Sequence, residues 1–545
     1  MPPVLRTSML LLALSASATT LSAAQVSAVR EVQSTTATIL LPPPDPCVNT
    51  QIVFNPAPWP SQDLEALGQP ARIFAAGPSS NPGETPQRHD PARRPLVLIV
   101  DGNGFGLGDY GDLSGYLAAK GFNVVVIDRP PQNGPDPVDQ ALAAIGAAFD
   151  ALGLPADAPV GVIGHSVGGA IAIDTILANR LARAGYDIRA LVLLAPKVAD
   201  GTGALLAADA VPALLAVYGS QDNDVGGLSD DLTDAFAAYD RSGTESSTTC
   251  HQPFCEYQAQ MHRTMVYVHG ADHSGLINQE PGLASVQNPW DPFNNYLSQA
   301  DQFCIAKAYT LAMLEWTLDA NTQWKSMVHG SHVPASIQAM TTAASDELGN
   351  LAGSPLRMAL QVSPKKRSVI ENFEDGAWSI ASQTPEVVTD VKNEGELAGG
   401  DTNVRHATRL GLVSWPERDE WQLVGLGVPG SRRNVTGFTH VAFRLGQVAA
   451  VADAAVANPA NTYPSVMIGL TDGSSSSWVW SHAHGAIPPA DQRPNGQHHS
   501  VMNTLSIPLA AFSTIDKSRI EAVYVAFPAG SRGTLLIDSV EWFKE

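Results

Sequence analysis

The feature that most constrains this chain is a set of six apolar runs between residues 95 and 270: PLVLIV (95–100), NVVVID (123–128), PVGVIG (159–164), ALVLLA (190–195), PALLAVYG (212–219) and TMVYVHG (264–270). A strand with one wet face alternates apolar and polar residues, whereas a continuously apolar run has both faces covered. Between several of these runs stand GDLSGYLAAKG, PVDQALAAIGAAFDALG and GGAIAIDTILANRLARAG, whose apolar residues recur at helical spacing. Repeated strand, helix, strand demands right-handed crossovers that cover a parallel sheet with helices on both faces. The expected fold of this half is a doubly wound, mostly parallel α/β sheet.

At 545 residues, 44% of them hydrophobic, the chain exceeds what one core usually accommodates. From about Asn321 to Pro364 the strand signal fades, Ala, Ser and Thr accumulate, and the stretch ends in SPKKR. Beyond it SVIENFEDGAW, THVAFRLGQ, SVMIGLTDG, SSWVWSHA, NTLSIPLAAF, EAVYVAFPAG and GTLLIDSVEWF are short runs broken by Gly, Pro, Asn and Asp, with no helical text between them. That pattern predicts a separate all-β sandwich. The expected division is a signal peptide over 1–24, a catalytic α/β domain with a helical tail over 25–345, a linker over 346–365 and the sandwich over 366–545.

The N-terminus carries one Arg, an apolar run from Met9 to Leu14, and small residues at Ser22 and Ala24. This is the layout of a secretory signal, so the mature protein is expected in the periplasm or the medium. Four cysteines, Cys47, Cys250, Cys255 and Cys304, fit an oxidising compartment and two disulfides. Of the three formal pairings, Cys250 with Cys255 and Cys47 with Cys304 are preferred, because the first closes a tight loop. His251 and His262 near the cysteines match no standard zinc spacing, so no metal is expected. Elsewhere no 18 apolar residues run uninterrupted, and no membrane span is expected. A net charge of −21 repels phosphate backbones and anionic surfaces, which argues against nucleic acid as a partner.

Within PVGVIGHSVGGAIAIDTI, the Gly-x-Ser-x-Gly of Gly164, Ser166 and Gly168 joins a predicted strand to a predicted helix. A nucleophile at such a junction sits on a sharp turn at the carboxyl edge of the sheet, beside free helix N–H groups. A serine hydroxyl is a weak nucleophile and needs a base, an acid that orients the base, and donors for the developing oxyanion. PALLAVYGSQDND supplies Asp222 as the acid, with Asp224 as substitute, and TMVYVHGADHSG supplies His273 as the base. His269 reads as a packing residue and Asp272 as a former of the turn. The order Ser, Asp, His belongs to this strand-turn-helix architecture. One oxyanion N–H is expected from Val167 and the second from the loop DGNGFGLGDY, with Asn103 preferred and Gly104 next. Four glycines within seven residues exceed what a plain turn requires, and neither a Gly-Lys-Ser/Thr nor a dinucleotide fingerprint is present.

Over roughly residues 51 to 318 the sequence resembles the α/β-hydrolase family, on GHSVGG, the glycine loop, LAAKGFNVVVIDR, YGSQD and GADHS. It resembles most the branch with dienelactone hydrolases, chlorophyllases and polyester or cutinase-like hydrolases. The resemblance implies a cofactor-free ester hydrolase with Ser166, Asp222 and His273 as triad. It departs at the oxyanion loop, where many members have His-Gly and this chain has Asp101-Gly102. His165 matches the family's elbow and is assigned packing and loop support, with no chemical role. The rivals are a peptidase or amidase on the same triad, and an inactive hydrolase fold used for binding or adhesion.

The 51 positions from Asp222 to His273 are roughly twice what a bare helix crossover needs. The excess, SGTESSTTCHQPFCEYQAQMH, is expected as a pinned loop with Phe254 and Tyr257 as candidate substrate contacts. VIENFEDGAW and TLLIDSVEWF resemble the first and last strands of jelly-roll domains related to carbohydrate-binding modules. In such domains calcium often bridges those strands, for which Glu374 and Asp538 are two carboxylates only. Trp478 and Trp480 alternate along one strand and so share a face, which reads either as core or as a sugar or polymer platform.

Overall fold

The structure is a computed structural model, and it describes residues 61–66, 69–75, 94–129, 134–182, 185–197, 213–219, 222, 262–268, 270–277, 297–340, 356–361, 366–371, 373, 377–393, 409–448, 456–459, 464–484, 487, 491–492, 498–499 and 502–545. The first sheet is built from β1 (Ser61–Ala66), β2 (Gln69–Phe74), β3 (Leu96–Val100), β4 (Asn123–Ile127), β5 (Pro159–His165), β6 (Asp187–Leu194), β7 (Ala213–Gly219), β8 (His262–Val268) and β9 (Leu356–Gln361). Their order across the sheet is β1-β2-β4-β3-β5-β6-β7-β8-β9. Strands β3 to β8 run parallel, β2 and β9 run antiparallel to them on either side, and β1 pairs antiparallel with β2 and so runs in the direction of the parallel set. Every residue of β3, β4, β7 and β8 is buried, as the unalternating runs require.

Helices α1 (Gly111–Ala119), α2 (Pro137–Leu152), α3 (Gly168–Ala182) and α4 (Gln299–Leu318) supply the two covering layers. Helix α2 packs on α3 over one face, and α1 meets α4 over the other. Short helices α5 (Lys325–Val328) and α6 (Ala335–Ala339) follow. The start of α2 is set by Asp136, whose carboxylate accepts the Val138 N–H, with Pro137 pre-set for the first turn. This domain is a doubly wound α/β fold with the strand order of an α/β hydrolase.

Two edges differ from the sequence expectation. The hairpin β1-β2 was not anticipated, and β9 lies inside the stretch read as a linker. In LRMALQ, Leu356, Met358 and Leu360 alternate and are buried, a period-two pattern too short to stand out from its neighbours. The backbone of β9 is satisfied on both sides. It pairs with β8, while Asn503 Oδ1 accepts the Met358 N–H and Thr504 Oγ1 accepts the Leu360 N–H. A strand that would otherwise be an open edge is thus covered by the second domain.

That second domain comprises β10 (Arg367–Glu371), β11 (Ile380–Gln383), β12 (Val388–Asn393), β13 (Arg409–Trp415), β14 (Gln422–Gly427), β15 (His440–Gln447), β16 (Met467–Thr471), β17 (Ser476–Trp480), β18 (Asp491–Gln492), β19 (His498–His499), β20 (Asn503–Pro508), β21 (Ala522–Phe527) and β22 (Gly533–Phe543). One antiparallel sheet has the order β12-β13-β22-β15-β20, with β10 also on β22, and the other has β11-β14-β21-β16-β17. Val413, Phe443 and Val540 of the first share one core with Val424, Ile468 and Val525 of the second, closing a β-sandwich. Where the domains meet, His329 stacks on His262 with centroids 4.5 Å apart and reaches Phe543, on which His440 stacks at 4.9 Å.

Candidate active site

The elbow forms where β5 hands over to α3. Ser166 lies between them at φ 54°, a left-handed conformation that a non-glycine residue adopts only when its surroundings impose it. Its N–H donates to Leu194 O at 3.1 Å, and its carbonyl accepts from Gly169 N and Lys197 N. The flanking glycines are set by close approach. A Cβ at Gly168 would lie 2.4 Å from the carbonyl oxygens of Val100 and Asp101, and one at Gly164 would lie 2.4 Å from Gly168 O. The hydroxyl at 166 therefore stands on a turn whose close approaches demand glycine at 164 and 168.

Asp222 follows β7 and His273 follows β8, which are parallel neighbours, so their carboxyl ends lie side by side. His273 Nδ1–H donates to Asp222 Oδ2 at 2.8 Å, with both side chains buried. This fixes the imidazole orientation and turns Nε2 away from the carboxylate. Asp272 shapes the turn, since its Oδ1 accepts the N–H groups of Ser274 and Gly275. Gln302 of α4, which the sequence reading did not single out, accepts the Asp272 N–H at 2.9 Å and donates to Leu297 O.

His165 is fully buried and bridges two loops. Its Nε2 lies 3.1 Å from His273 O, a pure acceptor, so Nε2 carries the hydrogen. Its Nδ1 then accepts from the Tyr110 hydroxyl at 2.8 Å, and the same hydroxyl accepts the Gly102 N–H at 2.8 Å. Burial, reinforced by the neighbouring His273, holds the His165 pKa well below its ordinary value, so the ring is neutral and the single-hydrogen assignment is consistent. Tyr110 could not have been chosen from sequence, because nothing local marks it as a partner of the elbow.

On the oxyanion side, Val167 leads into α3. The Gly102 N–H is spent on Tyr110, whereas the Asn103 N–H has no acceptor among the described residues. Asp101, in the place where many α/β hydrolases resembling this chain have His, is 1% exposed and accepts the Arg129 N–H on Oδ1 at 2.9 Å. Burial first, and a side-chain hydrogen bond with Asp128 second, push its carboxyl up to about 8. The Asp101 carboxyl therefore keeps its proton through neutral pH, which is how a carboxyl occupies this buried position.

Asp224, His269, Phe254, Tyr257, Cys47, Cys250 and Cys255 lie outside the described residues, and the preferred cysteine pairings with them. Cys304 is buried in α4. Among the described residues no group of His, Cys, Asp and Glu could hold a metal, and no helix is long and apolar enough to cross a membrane. Glu374 is also outside them, and Asp538 pairs with Arg444 at 2.7 Å.

The tryptophans of the sandwich divide between core and outer face. Trp415 and Trp542 are fully buried. Trp478 and Trp480 point away from the core and are half-buried, while Val479 between them packs inward. Across the second sheet Gly425, Tyr524, Gly469 and Trp478 occupy one row in register. A Cβ at Gly469 would lie 2.5 Å from the Trp478 ring and one at Gly425 2.4 Å from the Tyr524 ring, so both rings lie over bare backbone. Tyr524 sits 5.7 Å from Trp478, and Trp421 5.7 Å from Trp480.

Residues 91–221 match the family model described as serine aminopeptidase, S33, of the hydrolases. No curated protein sequence matches the chain. Among solved structures, the esterase domain of a Rhodothermus marinus protein is similar at 15% identity and TM-score 0.29, over 47% of this chain and 98% of that one. A puromycin-hydrolyzing peptidase of Mycobacterium tuberculosis is similar at 17% identity and TM-score 0.31, over 48% of this chain and 40% of that one. A family 11 carbohydrate-binding module of Clostridium thermocellum is similar at 12% identity and TM-score 0.22, over 33% of this chain and 95% of that one. The N-terminal domain thus has the α/β-hydrolase fold, and residues 91–221 within it match a hydrolase family model.

Proposed function

We propose that this protein cleaves carboxylic esters through an acyl-enzyme on Ser166, with His273 as base and Asp222 as the acid that orients it. The single observation that carries the reading is the 2.8 Å bond from His273 Nδ1 to Asp222 Oδ2, made across 51 positions in a buried site beside the strained elbow. His273 Nε2 takes the Ser166 proton as the hydroxyl attacks the carbonyl, and Asp222 holds the productive tautomer. The N–H groups of Val167 and Asn103 stabilise the tetrahedral oxyanion. His273 then protonates the leaving alcohol, and water, activated by the same base, resolves the acyl-enzyme. Hydrolysis of p-nitrophenyl esters that vanishes in both Ser166→Ala and His273→Ala tests this. Full activity in either variant overturns it.

The matched family is described by its aminopeptidases, which favours an amidase as the second reading. Comparing p-nitrophenyl esters with the matching anilides separates the two. An inactive binding protein is disfavoured by the filled triad positions, and reaction with a fluorophosphonate excludes it.

The sandwich, in the same reading, holds the enzyme on a polymeric or polysaccharide surface through the outward row of Tyr524 and Trp478 with Trp480. Rings lying over glycines present flat apolar faces, the shape on which sugar rings and extended polymers stack. Export and removal of residues 1–24 also belong to this reading, supported by the charge, apolar run and small residues of the N-terminus. Mass measurement of protein recovered from the medium or periplasm checks it.

A further inference from the structure

The loop that supplies Asn103 is tied at three consecutive residues, and two of the ties come from one residue. Strand β3 pairs with β4 in parallel, with Val100 beside Ile127, so the segments that follow the two strands leave the sheet together. Arg129 stands in the second of these. Its backbone N–H donates to Asp101 Oδ1 at 2.9 Å, and its guanidinium Nη2 donates to Asn103 Oδ1 at 2.6 Å. Gly102, between them, is held by Tyr110 through its own N–H. The Asn103 side chain is therefore anchored outward by an exposed charge-assisted bond, while its backbone N–H has no acceptor among the described residues. Asp109 adds a further brace downstream by accepting the Gly106 N–H at 2.8 Å.

We infer that Arg129 is a positioning residue of this site: by gripping Asn103 Oδ1 while its backbone grips Asp101, it aims the Asn103 N–H at the oxyanion of the transition state. The inference rests on the ester-hydrolase reading above. Arg129 touches neither the nucleophile nor the base, so its loss acts on the developing charge and leaves ground-state binding nearly intact. It acts through the Asn103 side chain, so the effects of removing either partner are not additive.

The test uses the full chain with Arg129→Ala, Arg129→Lys, Asn103→Ala and the double variant Arg129→Ala/Asn103→Ala, each checked for an unchanged thermal unfolding profile. Steady-state kinetics on p-nitrophenyl butyrate and inhibition by phenylboronic acid, which adds to the serine as a tetrahedral anion, are measured together. Arg129→Ala is expected to lower kcat about 10-fold with KM within about 2-fold, and to raise the boronic acid inhibition constant by about the same 10-fold factor. Asn103→Ala is expected to match it, the double variant to be no worse than either single one, and Arg129→Lys to recover part of the loss. Multiplicative losses, a change confined to KM, or unchanged boronic acid inhibition overturn the role of Arg129. Should Arg129→Ala unfold, Arg129→Gln keeps a polar side chain but removes the charge and falls short of Asn103 Oδ1, and the same non-additivity with Asn103→Ala decides. Wild-type protein that neither hydrolyses the ester nor binds the boronic acid refutes the hydrolase reading itself, a distinct outcome.

Discussion

His165, the residue before the nucleophile, donates from Nε2 to the main-chain carbonyl of His273, the residue read as its base, at 3.1 Å and across 108 positions. The chain continues from His165 Nδ1 to Tyr110 Oη and from there to Gly102 N, so elbow, base loop and oxyanion loop are linked by three buried hydrogen bonds. Tyr110→Phe removes the hydroxyl and orphans a buried N–H and a ring nitrogen, each costing about 1–3 kcal/mol. Urea unfolding is expected to show a loss of that size, with a concurrent fall in kcat/KM on a small ester. Unchanged stability and activity contradict the linkage.

The elbow glycines respond to substitution by location. Gly168→Ala forces a Cβ to within 2.4 Å of two backbone carbonyls, while Gly106, in the neighbouring loop, has nothing within 4 Å of the same position. Gly168→Ala is expected to abolish soluble, active protein, and Gly106→Ala to retain wild-type melting temperature and esterase rate. Equal behaviour of the two contradicts the packing.

The Asp101 carboxyl is pushed up to about 8 in the folded state from 3.8, chiefly by burial and then by Asp128. The folded protein therefore binds a proton that the unfolded chain has released between these values, so stability falls as pH rises from about 4 to about 8. Asp101→Asn keeps an oxygen for the Arg129 N–H and cannot ionise. Thermal unfolding as a function of pH is expected to fall less steeply in this variant than in wild type over that window. Parallel profiles contradict the raised Asp101 carboxyl.

At the domain boundary the sign reverses. Burial holds His262 down to about 3 and His440 to about 4, and puts His329 well below its usual 6.5. The unfolded chain takes up protons that these rings refuse, so their contribution is complete above about 6.5 and is lost as pH falls toward 4. Acid unfolding is expected to be accompanied by uptake of about three protons from this cluster, reduced by one in His262→Gln.

Trp478→Ala is expected to weaken pull-down on insoluble polysaccharide or polyester several-fold while leaving hydrolysis of soluble p-nitrophenyl esters within about 2-fold of wild type, as for a side chain on the outer face of the sandwich. Loss of soluble-substrate activity instead assigns the residue to folding.

Legibility followed the range of the information. The six apolar runs revealed the parallel sheet because burial on both faces erases alternation locally, and Ser166 was visible because its turn demands glycines within two residues. Asp222 and His273 were reachable because they follow consecutive strands of that sheet. Tyr110, Gln302 and Arg129 were not, since each acts on a loop far away in sequence through one side-chain contact that leaves no local pattern. Strand β9 escaped for a similar reason: its alternation spans six residues, and its covering partners, Asn503 and Thr504, lie more than 140 positions away. The buried Asp101 carboxyl, accepting the Arg129 N–H, accommodates a departure that the sequence exposed without resolving.

The most direct test is the rate and site of labelling by a fluorophosphonate, followed by peptide mass spectrometry on wild type, His273→Ala and Asp222→Asn. The expected result is a single adduct on Ser166 in wild type, with labelling slowed by about 10³-fold or more in His273→Ala and strongly slowed in Asp222→Asn. An adduct on another residue, or a wild-type labelling rate in His273→Ala, contradicts a nucleophile at Ser166 activated by His273.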